Sequence, residues 1–150
     1  MLRRMSIIAL AASALAASHS SQAASPQASR LTMGKRVYET QCASCHGVRG
    51  EGAPNWREAD ANGEMPAPPH DAQGHTWKHA DGMLYRLVRD GWRDAFNKTQ
   101  RLTMPPFGDK LSPQEIRAVI DYLKTMWTPE QRRFQRDESR KAPFPPEALR

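Results

Sequence analysis

Apolar residues recur at helical spacing in three stretches of this chain, separated by long, polar, proline-broken segments. The clearest stretch is residues 112–127. Ser112 stands at the N-cap, Pro113 at the first helical position, and Glu115 completes a capping box. Ile116, Val119, Ile120, Leu123 and Trp127 then fall on one face, and Pro129 closes the helix. A second helix is predicted from Asp81, a good N-cap, through Leu84, Leu87 and Val88 to Gly91, a residue suited to the C′ position. A third, residues 31–42, has Thr32 as N-cap and places Val37 and Tyr38 three and four residues after Gly34. Glycine costs a helix stability, so Gly34 predicts close packing of another backbone. The expected fold is all-α, with three to four helices and long loops.

The segments between helices follow no period. Residues 46–80 contain Pro54, Pro66, Pro68, Pro69 and several glycines. Irregular stretches this long inside a compact domain are usually functional or disordered, and wrapping a cofactor is a functional reason that fits. Residues 24–30, rich in Ser, Ala and Gln, read as a disordered lead-in to a domain over residues 31–127. Residues 128–150 form a polar tail with Pro143, Pro145 and Pro146, where a short charged helix near residues 130–139 would be followed by disorder. The start differs again. Arg3 and Arg4 precede an apolar run, residues 5–17, that is too short to span a bilayer. Ser21-Gln22-Ala23 then offers small residues where a signal peptidase reads, so a secretory signal cleaved after Ala23 and a periplasmic location are expected; an uncleaved anchor is the alternative. No later stretch is long and apolar enough to cross a membrane, so no stable insertion is expected after cleavage.

Composition changes this picture in two ways. With 39% apolar residues, twelve prolines and a mean hydropathy of -0.74, the chain is poorly supplied for a core, and a large flat ligand would help it bury what it has. The net charge of +6 falls to +4 once Arg3 and Arg4 are removed, a mild balance that does not argue for nucleic acid. The two cysteines, Cys42 and Cys45, are three positions apart, so no long-range disulfide is available.

Those cysteines carry the chemistry. Cys42-Ala43-Ser44-Cys45-His46 is a C-x-x-C-H pentapeptide, the attachment signature of c-type haem. Two intervening residues let one turn of backbone bring both thiols to the two vinyl groups, where they add as thioethers. The next residue then turns its imidazole toward the iron, while the redox chemistry belongs to the cofactor. A dithiol redox pair is the first competing reading, but the strand and helix alternation of a thioredoxin-like chain is missing. Half a zinc site is another, for which His70, His75 and His79 are the available partners.

With these residues in view, the chain resembles a class I (mono-haem) bacterial cytochrome c over residues 31–127. The similarity is carried by Gly34, Tyr38, Cys42-Ala43-Ser44-Cys45-His46-Gly47, Pro54-Asn55, the stretch from Leu102 to Phe107, and the helix from Ser112 to Trp127. The resemblance implies one covalent haem c wrapped by helices, with the first and last crossing so that Gly34 and Tyr38 meet Ile120, Leu123 and Trp127. It also implies that His46 and Met104 are the two axial ligands, and that the Pro54 carbonyl accepts the His46 N–H and fixes its tautomer.

Local sequence agrees with Met104. Leu102-Thr103-Met104-Pro105-Pro106-Phe107-Gly108 is a proline-stiffened strap leading into the capped helix, and a following proline biases Met104 to extended backbone. Met65, also followed by proline, and the loop histidines are rival ligands, and a methionine can simply fill core space. The loop Pro68-Pro69-His70-Asp71 to Gly74-His75-Thr76-Trp77-Lys78-His79 is unusual. Trp77 and the imidazoles are candidates to bond haem propionates or cover the ring; a second metal site and a plain polar loop are the alternatives.

The function expected is periplasmic electron transfer, with no turnover by this chain alone. A Met/His pair raises the reduction potential and leaves no open position on iron. Partners would be a redox donor and acceptor meeting the haem edge, and haem-insertion machinery during maturation. A haem-based sensor with a displaceable sixth ligand and a metal-handling module built on the His-rich loop are the readings held beside it.

Overall fold

A computed structural model describes residues 24–99 and 101–150. The expected signal, residues 1–23, lies outside the described residues. Among those described, the architecture is all-α, with four helices of ten residues or more. These are α1 (Pro26–Val37), α3 (Asp81–Asp90), α4 (Pro113–Leu123) and α5 (Pro129–Lys141); the single turn α2 (Ala43–His46) lies between the first two. The one isolated β-bridge among the described residues pairs Trp92 with Met104.

The first helix starts earlier than expected. Ser25, not Thr32, is its N-cap and accepts from the Ala28 N–H, with Pro26 at the first position. The supposed disordered lead-in is therefore mostly helix. Ser25-Pro26 provides the same hydroxyl-then-proline start as Ser112-Pro113. Thr32 instead turns its hydroxyl back to the Ala28 carbonyl within the helix. Beyond Val37 the helix widens into a π-helical stretch, Tyr38–Cys42, which delivers the chain into α2.

α1 crosses α4 at Gly34. A Cβ built there would lie 2.0 Å from the Ala118 carbonyl oxygen and 2.9 Å from the Tyr122 Cβ. The crossing is thus as expected in kind, but Gly34 meets Ala118 and Tyr122, one face over from Ile120, Leu123 and Trp127. Those three are buried with Ile116 and Val119 in the central cluster, where Val37, Tyr38, Leu84, Tyr85, Phe107 and Leu111 also pack. The helix α4 has the predicted capping box between Ser112 and Glu115.

The tail is the main departure. Pro129 does not close α4, which ends at Leu123 and passes through a 3-10 turn, Lys124–Met126; it opens α5, with Thr128 and Gln131 forming a second capping box. The chain then returns to the core rather than trailing off: Phe144 and Ala148 are buried in the central cluster. Gln135, only 1% exposed, donates through Nε2 toward the His79 carbonyl, the Asp81 carboxylate and the Ser139 hydroxyl. The Ser139 hydroxyl in turn accepts from the Asp81 N–H, and the Ala142 carbonyl accepts from the Gly82 N–H. Asp81 therefore sits in the first turn of α3 as a partner for the tail and for Lys124, with Ala80 as the N-cap residue. The polar composition of α5 concealed two buried polar groups that pair instead of facing water.

Gly34→Ala separates two opposing effects. Helix propensity alone would stabilise α1 by about 1 kcal/mol. The contact with the Ala118 backbone cannot yield as a side chain can, so a net loss of about 2 kcal/mol or more is expected. A lowered thermal midpoint of the haem-loaded protein checks it; a raised midpoint would show that the two helices do not touch there.

Candidate haem site

The pentapeptide motif runs from Cys42, the last residue of the π-helical stretch and the N-cap of α2, through α2 itself, which carries Cys45 and His46. Cys42 and Cys45 are free thiols, Cys42 half-buried and Cys45 exposed. Burial, with Cys45 adding to it, pushes the Cys42 pKa up to about 11. Tyr38 is fully buried, and its hydroxyl donates to the Gly47 carbonyl at 2.6 Å, which pins the residue that follows the motif.

His46 is 8% exposed. Its Nδ1 lies 2.9 Å from the Pro68 carbonyl oxygen. A carbonyl only accepts, so Nδ1 carries the proton and the lone pair is left on Nε2. Burial lowers the His46 pKa, with the bond to Pro68 opposing it, and the ring is a neutral donor near pH 7. Two free thiols and a tautomerically fixed neutral imidazole are the donor set that covalent haem requires.

The carbonyl that fixes His46 is that of Pro68, not Pro54. This corrects the expectation from the resemblance. A backbone acceptor has no side-chain signature, and four prolines in the loop were equally eligible by residue type. The fold selects Pro68 by pairing its neighbours with the segment after the motif: Ala53 N–H donates to the Ala67 carbonyl at 2.9 Å, and His70 N–H to the Gly50 carbonyl at 2.7 Å.

The loop histidines divide into two groups. His70 stacks on His46, with ring centroids 3.9 Å apart and planes 25° from parallel. His75 stacks on Trp56, and His79 meets His75 edge-on at 5.4 Å. Among the described residues no three His, Cys, Asp or Glu side chains converge to hold a metal ion, which removes the support for a metal-handling module. Burial, followed by His46 and His75, pushes the His70 pKa well below the ordinary histidine value. The Trp77 indole N–H donates to the Gly74 carbonyl at 3.1 Å, and its ring meets Phe134 of α5 edge-on.

Met104 packs against the central cluster, in which Met65 has no part. Met104 and Trp92 exchange backbone hydrogen bonds, both 2.9 Å, and the Phe107 and Gly108 N–H groups donate to the Val88 and Arg89 carbonyls at the end of α3. Gly91 has φ of 79°, and a Cβ there would lie 2.7 Å from the Met104 carbonyl oxygen. Its positive φ and this close approach both require glycine. Sequence reading found Gly91 as a helix stop and missed its contact with the strap. It also missed Glu64, a buried carboxylate that accepts from Asn97 Nδ2 at 3.1 Å, from the Thr99 hydroxyl at 3.1 Å and from the Arg101 guanidinium. Glu64 thereby ties residues 60–64 to the segment leading into Met104.

A model of the cytochrome c family matches residues 31–127. The chain belongs to the cytochrome c family. Its fold, its covalently bound haem c and its role in haem-based electron transfer follow from that membership. This cytochrome is 28% identical over 109 residues to the Cbb3-type cytochrome c oxidase subunit FixP of Sinorhizobium medicae (strain WSM419). It is 27% identical over the same length to the FixP of Rhizobium meliloti (strain 1021). Each match covers 69% of this cytochrome and 33% of the relative, so the chain spans about a third of the length of the curated relatives it matches. No solved structure matches it.

The Glu64 cluster yields a test of what holds the strap. The side chain of Arg101 is 71% exposed and that of Glu64 8%, so the ion pair itself is worth little. Glu64→Ala also removes the acceptor shared by Asn97 Nδ2 and the Thr99 hydroxyl, leaving the Arg101 carbonyl at 3.0 Å as the remaining acceptor of Nδ2, and should cost about 1–3 kcal/mol in denaturant unfolding. Arg101→Ala should cost well under half as much; equal losses would show that the ion pair is the dominant tie.

Proposed function

We propose that this chain is a mono-haem electron carrier of the exported, periplasmic kind, with Cys42 and Cys45 as the thioether residues and His46 and Met104 as axial ligands. The observation that carries the reading is the His46 imidazole, held by Pro68 with its Nε2 lone pair unprotonated, at the end of the short helix α2 that carries Cys45 and is N-capped by Cys42. Haem supplies a one-electron ferric–ferrous couple. The protein supplies its orientation and donors. The Nδ1–H bond to Pro68 raises the basicity of His46 and holds its tautomer. The soft thioether of Met104, on a strap anchored to α3, favours the ferrous state relative to a second imidazole. Haem held by both His46 and Met104 would offer no open position for a substrate, which supports carriage of electrons over turnover.

Export is supported by the expected signal at residues 1–23 and by the motif itself, whose thioether attachment relies on haem-insertion machinery along the export route. No helix among the described residues is long and apolar enough to cross a membrane. The relatives are subunits of a cbb3-type cytochrome c oxidase, which supports a respiratory redox partner. The modest positive charge favours an acidic one, with salt-dependent association.

Optical spectra of the oxidised and reduced protein test the assignment. The double variant Cys42→Ser/Cys45→Ser should give no haem-stained band on a denaturing gel. Met104→His should abolish the weak ferric sulfur-to-iron band in the far red and lower the midpoint potential, while Met65→Ala should leave both nearly unchanged. Loss of the band in Met65→Ala with its retention in Met104→His would transfer the ligand role to Met65.

A further inference from the structure

His70 lies two residues after the carbonyl that holds His46, and it is fixed at three points. Its N–H donates to the Gly50 carbonyl at 2.7 Å, and its carbonyl accepts from Trp127 Nε1 at 2.8 Å. Its ring Nδ1 lies 2.9 Å from the Thr76 hydroxyl, which is itself 3.3 Å from the Pro69 carbonyl oxygen. The hydroxyl has one proton and the carbonyl only accepts. Both contacts are met together when Thr76 donates to Pro69 and His70 Nδ1–H donates to Thr76. The ring is thereby oriented as well as placed, and Tyr38 closes on it edge-on at 6.4 Å.

Held this way, the His70 ring lies flat against His46, 3.9 Å between centroids. The bond from His46 to Pro68 fixes one ring nitrogen but still permits the imidazole to swing about that anchor. A second ring lying along its face removes the swing. Segment 68–70 therefore grips His46 by its edge, through a carbonyl, and by its face, through a ring. We infer that His70 is a positioning residue that sets the plane of the His46 imidazole, and through it the orientation of the proximal ligand over the haem. This rests on the reading that His46 is the axial ligand.

In a low-spin ferric haem, the orientation of the axial ligand planes governs the anisotropy of the electron paramagnetic resonance spectrum. That makes ligand orientation readable apart from stability. His70→Leu keeps most of the bulk and removes the ring. The full-length, haem-loaded variant should show a shifted or heterogeneous low-temperature spectrum and a displaced midpoint potential. His70→Phe restores a flat face without the bond to Thr76, and should return a single spectrum close to the original. Thr76→Val frees the His70 ring at Nδ1 and should perturb the spectrum in the same sense as His70→Leu, by less. An unaltered spectrum and potential in His70→Leu overturns the assignment, as does a perturbation by His70→Phe as large as that by His70→Leu. If His70→Leu yields no haem-loaded protein, Thr76→Val decides alone, and an unchanged spectrum overturns it. Failure of the unsubstituted protein to show covalent haem would instead overturn the ligand reading on which this one stands.

Discussion

The bond from His46 Nδ1–H to the Pro68 carbonyl, 2.9 Å long, is the constraint around which this cytochrome is arranged. It joins a helical turn to a loop across 22 residues of irregular chain. A carbonyl in a loop is useful as an acceptor only if the loop cannot move. Pro68 and its neighbours are accordingly tied from three directions. The segment after the motif provides Gly50, whose carbonyl accepts from the His70 and Asp71 N–H groups. The turn that follows α4 provides Trp127, which donates to the His70 carbonyl. The tail provides Gln131, which donates to the Ala72 carbonyl at 3.0 Å. Local sequence, helix packing and the tail thus converge on the orientation of one imidazole.

The tail lies beyond the stretch matched by the family and adds a second layer to this support. Gln135 satisfies the turn into α3, and Phe134 covers Trp77. Phe144 enters the cluster beside Lys124, whose ammonium lies 5.0 Å from the centre of its ring and also pairs with Asp81. Burying an aromatic ring of that size contributes roughly 2–3 kcal/mol. For a chain with so limited an apolar supply, that is a substantial addition.

Much of the fold was legible because its signals are local. The capping box of α4, its apolar face and the C-x-x-C-H turn can each be read within a window of a few residues. Three hydroxyl-proline pairs open helices here, Ser25-Pro26, Ser112-Pro113 and Thr128-Pro129. Only the second stood before an apolar period, so only the second was recognised. Helices were expected at residues 31–42 and near residues 130–139, but the true starts of α1 and α5 were not legible, since these helices bury glycine, glutamine and serine rather than an aliphatic stripe. The site was legible to the same extent. Cysteine and histidine identities declare the attachment chemistry, whereas the Pro68 acceptor is a backbone atom, and the stacking of His70 and the burial of Glu64 depend on which distant loops the fold brings together.

The α1–α4 crossing also bears on how quickly this chain can fold. Arg30 and Asp121, which form an ion pair across it, are 91 residues apart in sequence. Closing a loop of that length costs about 4 kcal/mol of chain entropy, beyond the fixed cost of closure, before any of the contact is gained. Helical proteins usually fold fast because their contacts are local, and this one surrenders that advantage at its principal helix pair. Cys42, Cys45 and His46 lie inside that loop. Until it closes, the motif stays on an open, accessible strand of chain, and the slowness of the closure lengthens the interval in which thiol chemistry can reach it.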